Sequence, residues 1–520
     1  MTETNRTFRT ETHFGRVMRC YADRQPDGFA MLASGCQIAP DSLALVDGAT
    51  RLSHRELHDN AARLAGGLAD LGLRAGDRVA MMISNRAAFI EMLLACFRSG
   101  LIAVPISTRS QAPEIEYLIK DSGAAALFYD EALSDVLPEE GALPPHSISV
   151  DSDPYEHLRN GLSQPPSPGA EDDIAVILYT SGTTGSPKGA TLTHLNVVHS
   201  CRHFSDGMKL TREDRSLLAV PASHVTGLVA NILTILSVGG AVLILPNFEV
   251  DGFLRLAQAE GMTHTIMVPA MYNLILMRAT LADWSLGRWR LGGFGGGPMP
   301  ERTIARLAEA LPDLSLLNAY GATETCSPAT MIPLGITNRP DSVGRALPCA
   351  DMLIMDEDGR EVPPGETGEI WIAGPMVVPG YWRNEQKTTE SFIHGHWRSG
   401  DVGSVDADGY YRILDRLKEM INRGGYKIYS AEVENVLAAH ADIAEAAVVP
   451  VPDPILGERV RAVVCLERGA TIDETALRAH CARFLSDYKR PEFFDFQTGP
   501  LPRNANGKVQ KRALLDRDCP

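Results

Sequence analysis

The sequence predicts an α/β fold with a large N-terminal domain and a smaller α+β domain behind it. Three observations support this prediction. Apolar runs of strand length alternate with amphipathic helical segments as far as about Ile332, which is typical of a largely parallel sheet. After Val343, short apolar runs are divided by Asp-Gly and Pro-Gly turns, which indicates a small β-rich subdomain. From about Arg416 helices and strands alternate again, so we expect domains of residues 1–415 and 416–520.

Hydrophobic spacing defines the elements of the N-terminal domain. Ser53 and Glu56 have the spacing of a capping box, which predicts a helix that starts there. Apolar residues then recur every three or four positions until Gly72 ends the run. The further predicted elements are the strands Val79–Ile83, Leu101–Ile106, Asp173–Tyr179, Leu217–Val220 and Ala241–Leu245, the helices Arg86–Arg98 and Thr226–Val238, and a helix from Thr193 onward.

The elements behind Val343 follow from the same patterns. Thr471 and Glu474 suggest a second capping box, opening a helix to about Phe484. The other predicted elements are the strands Met352–Met355, Glu369–Ala373, Tyr410–Leu414, Ala446–Val449 and Val460–Leu466, and the helix Ser430–His440.

The composition is that of a globular protein with an acidic balance. The 520 residues carry a formal charge of −16, which argues against a nucleic-acid or anionic-membrane surface. Nine cysteines are scattered without a Cys-x-x-Cys pair, so neither a disulfide framework nor a zinc site is expected, and a cytoplasmic location fits. The N-terminus shows no apolar signal core. The long apolar segment Ser216–Phe248 is interrupted by Pro221 and Gly239-Gly240, so we interpret it as buried core and not as a membrane span.

The stretch Tyr179–Ala190, YTSGTTGSPKGA, is the strongest candidate for a binding loop. Glycine, serine and threonine can turn backbone N–H groups and hydroxyls toward an anion, and Lys188 adds a positive charge. The ordinary P-loop pattern does not fit, because Pro187 stands where that pattern needs its second glycine and Lys188 is followed by Gly189. The loop is therefore expected to hold a polyphosphate in a different way.

Other stretches carry groups that suit a nucleotide. In Asn318–Ser327, NAYGATETCS, the hydroxyl of Thr323 and the carboxylate of Glu324 can orient a phosphate and hold the metal that neutralises it. The glycines of Leu291–Pro300, LGGFGGGPMP, let a backbone approach a flat ring closely. Asp401 can accept two hydrogen bonds from a cis-diol.

Thr180–Gly189 resembles the phosphate loop of the adenylate-forming superfamily, which includes acyl-CoA synthetases, adenylation domains of non-ribosomal peptide synthetases and beetle luciferases. The later motifs resemble those of the superfamily in the expected order, at Asn318–Ser327, Ser399–Gly403, Asp415–Glu434 and Pro502–Lys508. Asn504 departs from the family, which often has Ser or Thr there. The resemblance covers nearly the whole chain and implies that the C-terminal domain is a mobile lid.

The resemblance implies roles for single residues. Tyr320 would stack on adenine, Thr323 bond the α-phosphate, Glu324 hold Mg²⁺, and Lys508 act as the catalytic lysine between carboxylate and α-phosphate. Asp415 would be the hinge. The residues implied to bind ATP are Thr180, Ser181, Gly182, Thr183, Thr184, Gly185, Lys188, Gly295, Gly296, Gly297, Pro298, Asn318, Ala319, Tyr320, Gly321, Ala322, Thr323, Asp401, Ile413, Arg416 and Lys508, and those implied to line the path of CoA are Gly424, Gly425, Tyr426 and Lys427.

The acid pocket is the least determined part of the site. His224 falls where many acyl-CoA synthetases have an aromatic-His pair, but Ser223 stands in place of the aromatic residue. Peptide-synthetase domains carry an aspartate in this region, and Pro221–Gly227 has none, which argues against an α-amino acid. The pocket residues implied are small and uncharged apart from the histidine: His224, Thr226, Gly227, Ala230, Gly295, Ala319, Gly321 and Pro328.

The resemblance predicts an acyl-CoA synthetase that uses ATP, Mg²⁺ and coenzyme A and acts on a neutral medium-chain or aryl acid through an acyl-adenylate. Two alternatives stay open. An acyl-AMP ligase would load a carrier protein, which would be separate because no carrier domain is seen before Pro520. A non-catalytic adenylate-binding regulator would have lost a catalytic residue, and Lys188, Thr323, Glu324, Asp401 and Lys508 are all present. Acetylation of Lys508 by a lysine acetyltransferase and assembly into a homodimer are further hypotheses.

Overall fold

The computed structural model describes residues 7–180, 187–297, 299–467, 469–497, 499–503 and 509–515. The strands are β1 (Phe8–His13), β2 (Arg16–Tyr21), β3 (Leu43–Asp47), β4 (Thr50–Ser53), β5 (Arg78–Met82), β6 (Ile102–Pro105), β7 (Ala126–Tyr129), β8 (His146–Ser149), β9 (Ile174–Thr180), β10 (Lys188–Thr193), β11 (Arg215–Leu218), β12 (Ala241–Ile244), β13 (His264–Met267), β14 (Leu291–Phe294), β15 (Ser315–Tyr320), β16 (Thr330–Met331), β17 (Gly344–Ala346), β18 (Asp351–Met355), β19 (Gly368–Ala373), β20 (Phe392–Ile393), β21 (His396–Val405), β22 (Tyr410–Arg416), β23 (Ile421–Arg423), β24 (Tyr426–Ile428), β25 (Ile443–Asp453), β26 (Gly457–Leu466) and β27 (Phe493–Gln497).

The helices lie between these strands. They are α1 (Gly28–Ile38), α2 (His54–Asp70), α3 (Ala87–Ser99), α4 (Ala112–Ser122), α5 (Asp153–Arg159), α6 (His194–Met208), α7 (Thr234–Ser237), α8 (Val250–Glu260), α9 (Pro269–Arg278), α10 (Glu301–Ala310), α11 (Glu385–Ser391), α12 (Ser430–Ala438), α13 (Glu474–Phe484) and α14 (Arg512–Leu515), and Thr226–Leu233 is a π-helix that runs into α7.

Two sheets form the N-terminal domain, as the alternating pattern predicts. The first has the order β10-β9-β6-β5-β7-β8, parallel except for the antiparallel pair of β9 and β10. The second has a parallel part in the order β15-β14-β13-β11-β12-β3. A shared hydrophobic core, including Phe89, Phe97 and Leu217, fills the space between strands and helices.

The β-rich subdomain continues the second sheet. The N-terminal residues of β15 pair in parallel with β14, whereas Ala319 and Tyr320 at its end pair antiparallel with β16. The antiparallel order then runs through β17, β22, β21, β19 and β18. The sheet therefore changes from parallel to antiparallel within the stretch predicted to bind the adenylate.

The C-terminal domain has a sheet and a core of its own. Strands β23 to β27 form the sheet, and α12 and α13 pack on it around Ile421, Val433 and Leu477, which are fully buried. The mixed α/β class and the division into a large and a small domain are thus as predicted. The boundary at Asp415 and the mobility of the lid stay predictions.

The caps of two helices show where local sequence was sufficient and where it was not. Ser53 and Glu56 form the predicted capping box of α2. The box predicted for α13 is wrong, because Asp473 is the N-cap, its side chain accepts from the N–H of Ala476, and the helix begins at Glu474. An aspartate directly before the first helical residue satisfies one of the free N–H groups of the first turn without Thr471.

No helix in the described part of the chain is both long enough and apolar enough to cross a bilayer.

Candidate active site

The predicted phosphate loop joins two paired strands. Thr180 at the end of β9 lies opposite Lys188 at the start of β10, and the Thr180 hydroxyl lies 3.5 Å from the Lys188 carbonyl oxygen. The strand β10 was not expected from the sequence, because its residues follow a loop rich in glycine and proline. Pairing with β9 fixes Lys188 at the mouth of the loop. Ser181, Gly182, Thr183, Thr184 and Gly185 lie outside the described residues.

A five-residue segment, Val378–Trp382, connects this strand to the predicted adenylate motif. The N–H of Val378 donates to the carbonyl of Glu324 at 2.9 Å, and the N–H of Trp382 donates to the carbonyl of Gly189 at 2.7 Å. We call Val378–Trp382 the clamp segment. It brings Lys188 and Glu324 to the same place although the sequence separates them widely.

Glu324, Lys188 and Tyr381 form the first charged group of the site. The Tyr381 hydroxyl donates to Glu324 Oε1 at 2.9 Å, and the Lys188 ammonium stands 5.1 Å from the centre of the Tyr381 ring. Burial raises the pKa of Glu324, and burial lowers the pKa of Lys188 while the nearby Glu324 carboxylate opposes that change. A carboxylate and an ammonium are therefore held near each other in a half-buried site.

Tyr320, Asp401 and Arg416 form the second group. The Tyr320 hydroxyl donates to Asp401 Oδ2 at 2.7 Å, and Arg416 Nε lies 3.3 Å from Asp401 Oδ1. Asp401 and Arg416 face each other across β21 and β22, so the sheet register places this pair. Burial and the Asp401 carboxylate together raise the pKa of Tyr320. An aromatic ring, a buried carboxylate and a guanidinium thus meet at the end of β15.

The remaining nucleotide candidates surround these two groups. Asn318 donates from Nδ2 to the carbonyl of Ser342 at 3.0 Å, and Thr323 begins a single 3₁₀ turn that ends at Thr325. Gly296 has φ of +76°, which favours glycine. Ala319, Gly321 and Ala322 adjoin these residues in the chain, Gly295 and Gly297 flank Gly296, and Ile413 lies on β22 opposite Gly403. Pro298 and Lys508 lie outside the described residues.

Three of the predicted acid-pocket residues, Thr226, Gly227 and Ala230, lie in the π-helix, and His224 lies just before it. The His224 carbonyl accepts from the N–H of Leu228 at 2.8 Å, and Ala230 is fully buried. A Cβ on Gly227 would stand 2.2 Å from the carbonyl oxygen of Pro221, and one on Gly295 would stand 2.5 Å from that of Ala319. These glycines are needed for close backbone packing, so their small size does not by itself create room for an acid. The position of Pro328, after the 3₁₀ turn, completes the predicted set.

The predicted hinge is held by hydrogen bonds. Asp415 Oδ1 accepts from the N–H of Arg416 at 2.7 Å, and Oδ2 accepts from the N–H of Ser430. Lys511 is half-buried against the same region, with its ammonium 2.8 Å from Glu434 Oε1 and 2.5 Å from Ser430 Oγ. Lys511 is therefore held close to the predicted hinge.

The predicted CoA loop lies at the turn between β23 and β24. Gly424 and Gly425 have φ of +60° and +91°, and no atom would contact a Cβ on Gly425 within 4 Å. Tyr426 is exposed and stacks on Tyr488, and the Lys427 ammonium lies 2.5 Å from Glu357 Oε1 in the β-rich subdomain. In this arrangement the loop contacts the N-terminal domain through Lys427.

Tyr381 was missed by sequence reasoning. Two aromatic residues, Tyr381 and Trp382, follow Gly380 in the sequence, and such a pattern is a weak signal in a β-rich subdomain. Only the fold shows that the Tyr381 hydroxyl reaches Glu324, 57 positions earlier in the chain.

The two groups suit a nucleotide, and the fold that holds them is that of an adenylate-forming enzyme with a C-terminal domain. Comparison with known proteins agrees. A family model described as AMP-binding enzyme matches residues 32–382, and one described as AMP-binding enzyme C-terminal domain matches residues 432–508.

Three relatives illustrate the similarity. A feruloyl-CoA synthase from Amycolatopsis sp is 34% identical over 91% of this chain and 96% of its own. The fatty acid–[acyl-carrier-protein] ligase ScoC of Streptomyces coeruleorubidus is 32% identical over 92% of this chain and 94% of its own. The o-succinylbenzoate-CoA synthetase MenE of Bacillus subtilis, solved with its acyl-adenylate intermediate, has a TM-score of 0.83 and 29% identity over 95% of this chain and 99% of its own. The same enzyme with ATP and a magnesium ion has a TM-score of 0.83 and 30% identity over 95% and 100%. The chain belongs to the AMP-binding enzyme family.

Proposed function

We propose that this enzyme, an AMP-forming acid–CoA ligase that uses ATP, Mg²⁺ and CoA, acts on a neutral aryl or medium-chain carboxylic acid. In the first half-reaction an oxygen of the carboxylate attacks the α-phosphorus of ATP, the bond to the bridging oxygen of the β-phosphate breaks, and pyrophosphate leaves. In the second the CoA thiolate attacks the acyl carbon and AMP leaves.

One observation supports the proposal most strongly: the clamp segment joins the strand of Lys188 to the carboxylate of Glu324. ATP carries its charge on the phosphates, and a lysine beside a carboxylate matches a bound magnesium phosphate. The donor set fits Mg²⁺, because Glu324 offers hard carboxylate oxygens and one of them, Oε1, is already oriented by Tyr381. When bound, Mg²⁺ neutralises charge on the phosphates and favours departure of pyrophosphate.

The second group suits the nucleoside. Tyr320 presents a ring, and Asp401 presents a carboxylate whose direction is fixed by the hydrogen bond it accepts from Tyr320 and by its ion pair with Arg416. A carboxylate held in this way can accept from both ribose hydroxyls. Lys508 completes the proposal as the group that stabilises charge between the attacking carboxylate and the α-phosphate.

The class of acid is inferred from the charges of the residues that are predicted to line the pocket. Among the residues predicted to line the pocket, His224 is the one side chain that could carry a charge, and no aspartate stands in Pro221–Gly227 to pair with an α-ammonium. A cationic or dicarboxylic acid would lack a buried partner, and an unpaired buried charge is costly. The predicted pocket therefore favours neutral acids.

The acceptor is proposed to be free CoA, with a separate carrier protein as the second candidate. The exposed loop at Gly424 and Gly425 favours CoA, because a backbone without side chains leaves space for a narrow thiol arm. The similarity to ScoC supports transfer to a carrier protein as the alternative reaction. A lysine acetyltransferase acting on Lys508 and a homodimer remain part of the proposal, each to be tested by itself.

A panel of carboxylic acids tests the function. Purified enzyme is supplied with ATP, Mg²⁺ and each acid, with CoA, with a phosphopantetheinylated carrier protein, or with neither, and the products are identified by mass spectrometry. We expect acyl-CoA with steady turnover from neutral aryl or medium-chain acids. Acyl-adenylate that only the carrier protein consumes would overturn the CoA proposal, and activity mainly on amino acids would overturn the acid class.

A further inference from the structure

Tyr381 lies outside the motifs on which the family resemblance rests, but it contacts residues of two of them. Its side chain is 8% exposed, its hydroxyl donates to Glu324 Oε1 at 2.9 Å, and its ring lies beneath the Lys188 ammonium at 5.1 Å. One aromatic side chain thus contacts both charged residues that are expected to meet the phosphates.

The backbone around Tyr381 is fixed on both sides. Tyr381 pairs with Ala190 in an isolated antiparallel bridge, and its N–H donates to the Thr388 hydroxyl at 2.9 Å. The N–H of Thr191 donates to the carbonyl of Gly380 at 3.1 Å. These bonds hold the ring between the β10 strand and the adenylate motif before any ligand binds.

The direction of the Tyr381–Glu324 hydrogen bond has a chemical consequence. A phenol donates to one carboxylate oxygen and so restricts rotation of the carboxylate, which leaves the other oxygen, Oε2, in a defined position. Partners of this kind orient metal ligands, and their loss typically lowers metal affinity or activity about 10- to 100-fold.

We propose that Tyr381 is a positioning residue that orients Glu324 toward the divalent cation of the nucleotide and supports Lys188 beside it. The inference rests on the proposed function, because it assigns a cation to Glu324. In this proposal the Tyr381 hydroxyl orients Glu324 for the cation, and the Tyr381 ring supports the Lys188 ammonium.

Two substitutions at Tyr381 test these parts. Tyr381→Phe removes the hydroxyl and keeps the ring, whereas Tyr381→Leu removes both. Tyr411→Phe is the matched control, since Tyr411 is also 8% exposed and its hydroxyl donates to the Met352 carbonyl at 3.0 Å in the same subdomain. Thermal melting of each variant shows whether the fold is retained.

The readout is cation binding, measured without turnover. Mn²⁺ is titrated into enzyme with α,β-methylene-ATP, which cannot be cleaved between the α- and β-phosphates, and free Mn²⁺ is followed by electron paramagnetic resonance. We expect Tyr381→Phe to weaken Mn²⁺ binding about 10- to 100-fold and Tyr411→Phe to leave it unchanged. Separate steady-state kinetics with ATP should show a KM for the acid close to wild type in both variants. Tyr381→Leu should in addition raise the KM for ATP, because the ring under Lys188 is gone.

The outcomes separate this inference from the function itself. Mn²⁺ affinity within twofold of wild type in a folded Tyr381→Phe enzyme would overturn the role of the hydroxyl, and an equal loss in Tyr411→Phe would show a general effect of hydroxyl removal and overturn it as well. If wild type binds Mn²⁺ with the analogue but makes no acyl-CoA from any acid, the proposed function fails while the role of Tyr381 stands.

Discussion

At the scale of single residues, Asp401 connects the strands and the nucleotide site. Its carboxylate is buried, and it accepts from Tyr320 and pairs with Arg416, so one side chain fixes the orientation of two others. The same carboxylate is proposed to accept from ribose. A small change at Asp401 should therefore affect nucleotide binding more than chemistry.

Asp401→Asn keeps the shape of the side chain and removes its charge. Charge-assisted hydrogen bonds contribute about 1.5–3 kcal/mol, so we expect the KM for ATP to rise roughly 10- to 100-fold with a smaller change in kcat. Steady-state kinetics at saturating acid and CoA measure both constants. Asp358→Asn is the control, because Asp358 is exposed in a surface pair with Arg360. A change in kcat alone, with KM for ATP unaltered, would contradict the ribose role.

At the scale of elements, the π-helix Thr226–Leu233 is held by one buried side chain. Asn231 Nδ2 donates to the carbonyls of Thr226 and Ile266, and Oδ1 accepts from the Ser216 hydroxyl and the N–H of Ile266, each at 3.2 Å. A π-helix closes i→i+5 hydrogen bonds and so has a wider turn than an α-helix, and such segments are frequent at functional sites. Asn231 binds the π-helix, which contains the predicted pocket residues Thr226, Gly227 and Ala230, to β11 and β13.

Asn231→Ala should lower the free energy of unfolding and alter the acid preference. It leaves buried donors and acceptors without partners, which costs about 1–3 kcal/mol each. Urea unfolding measures the stability, and the ratio of kcat/KM for a short and a long acid measures the preference. Asn160→Ala, at an exposed position on the C-terminal side of α5, is the control. Unchanged stability and an unchanged ratio would show that Asn231 does not hold the π-helix in place.

The sequence predicted an element correctly where the residues that decide its start and its buried face lie close together in the chain. The Ser53–Glu56 box is local, and so is the run of apolar residues along α2. The π-helix could not be predicted as such, because Thr226–Val238 has the same apolar spacing as an α-helix and Asn231 finds its partners on distant strands. The strand β10 was missed for a related reason, since pairing with β9 overrides a composition of Lys, Gly, Ala and Thr.

The contacts of the candidate site could not be predicted from the sequence. Lys188, Glu324 and Asp401 were singled out because their motifs resemble those of the family; the fold places them in the two groups described above, and their roles stay predictions. Tyr381 could not be found in this way, because its role depends on the clamp segment lying between two motifs that are far apart in sequence.

At the scale of the whole molecule, buried histidines make the fold sensitive to acid. Burial lowers the pKa of His199 to about 3, where its Nε2 accepts from the N–H of Tyr21 and its Nδ1 lies 2.9 Å from the carbonyl oxygen of Leu195. Protonation of Nε2 would break the first of these bonds. Burial lowers the pKa of four further histidines, and these are His54, His58, His194 and His264.

Stability should therefore fall as the pH falls below about 6.5, the ordinary pKa of histidine in an unfolded chain. Between there and the lowered folded value the unfolded state binds more protons, so protonation favours unfolding. His199→Gln should reduce the loss of stability between pH 7 and pH 5 by on the order of 1–2 kcal/mol. Urea unfolding across this range measures it, with the exposed His157→Gln as control. An equal loss of unfolding free energy between pH 7 and pH 5 in His199→Gln and in wild type would show that His199 does not cause the acid sensitivity.

Domain alternation is the second expectation for the whole molecule. Lys508 and Gly425 both belong to the C-terminal domain, and if it rotates about Asp415 each serves one half-reaction. We expect Lys508→Ala to slow acyl-adenylate formation about 10²–10³-fold and to leave thioester formation from presynthesised adenylate nearly intact. Gly425→Leu should do the reverse. Because φ at Gly425 is +91°, leucine also strains the backbone, and Gly469→Leu, with φ of +87° and open space, controls for that strain. Single-turnover kinetics that show equal loss of both half-reactions in the two variants would exclude alternation.

The central claim, that the carboxylate is activated by attack on the α-phosphorus, has one direct test. An acid that carries ¹⁸O in both carboxylate oxygens is turned over with ATP, Mg²⁺ and CoA, and AMP, pyrophosphate and acyl-CoA are analysed by mass spectrometry. The account predicts one ¹⁸O atom in each AMP, one retained in the thioester carbonyl, and none in pyrophosphate. Label in inorganic phosphate with ADP as the nucleotide product, or AMP free of label while acyl-CoA accumulates, would contradict it.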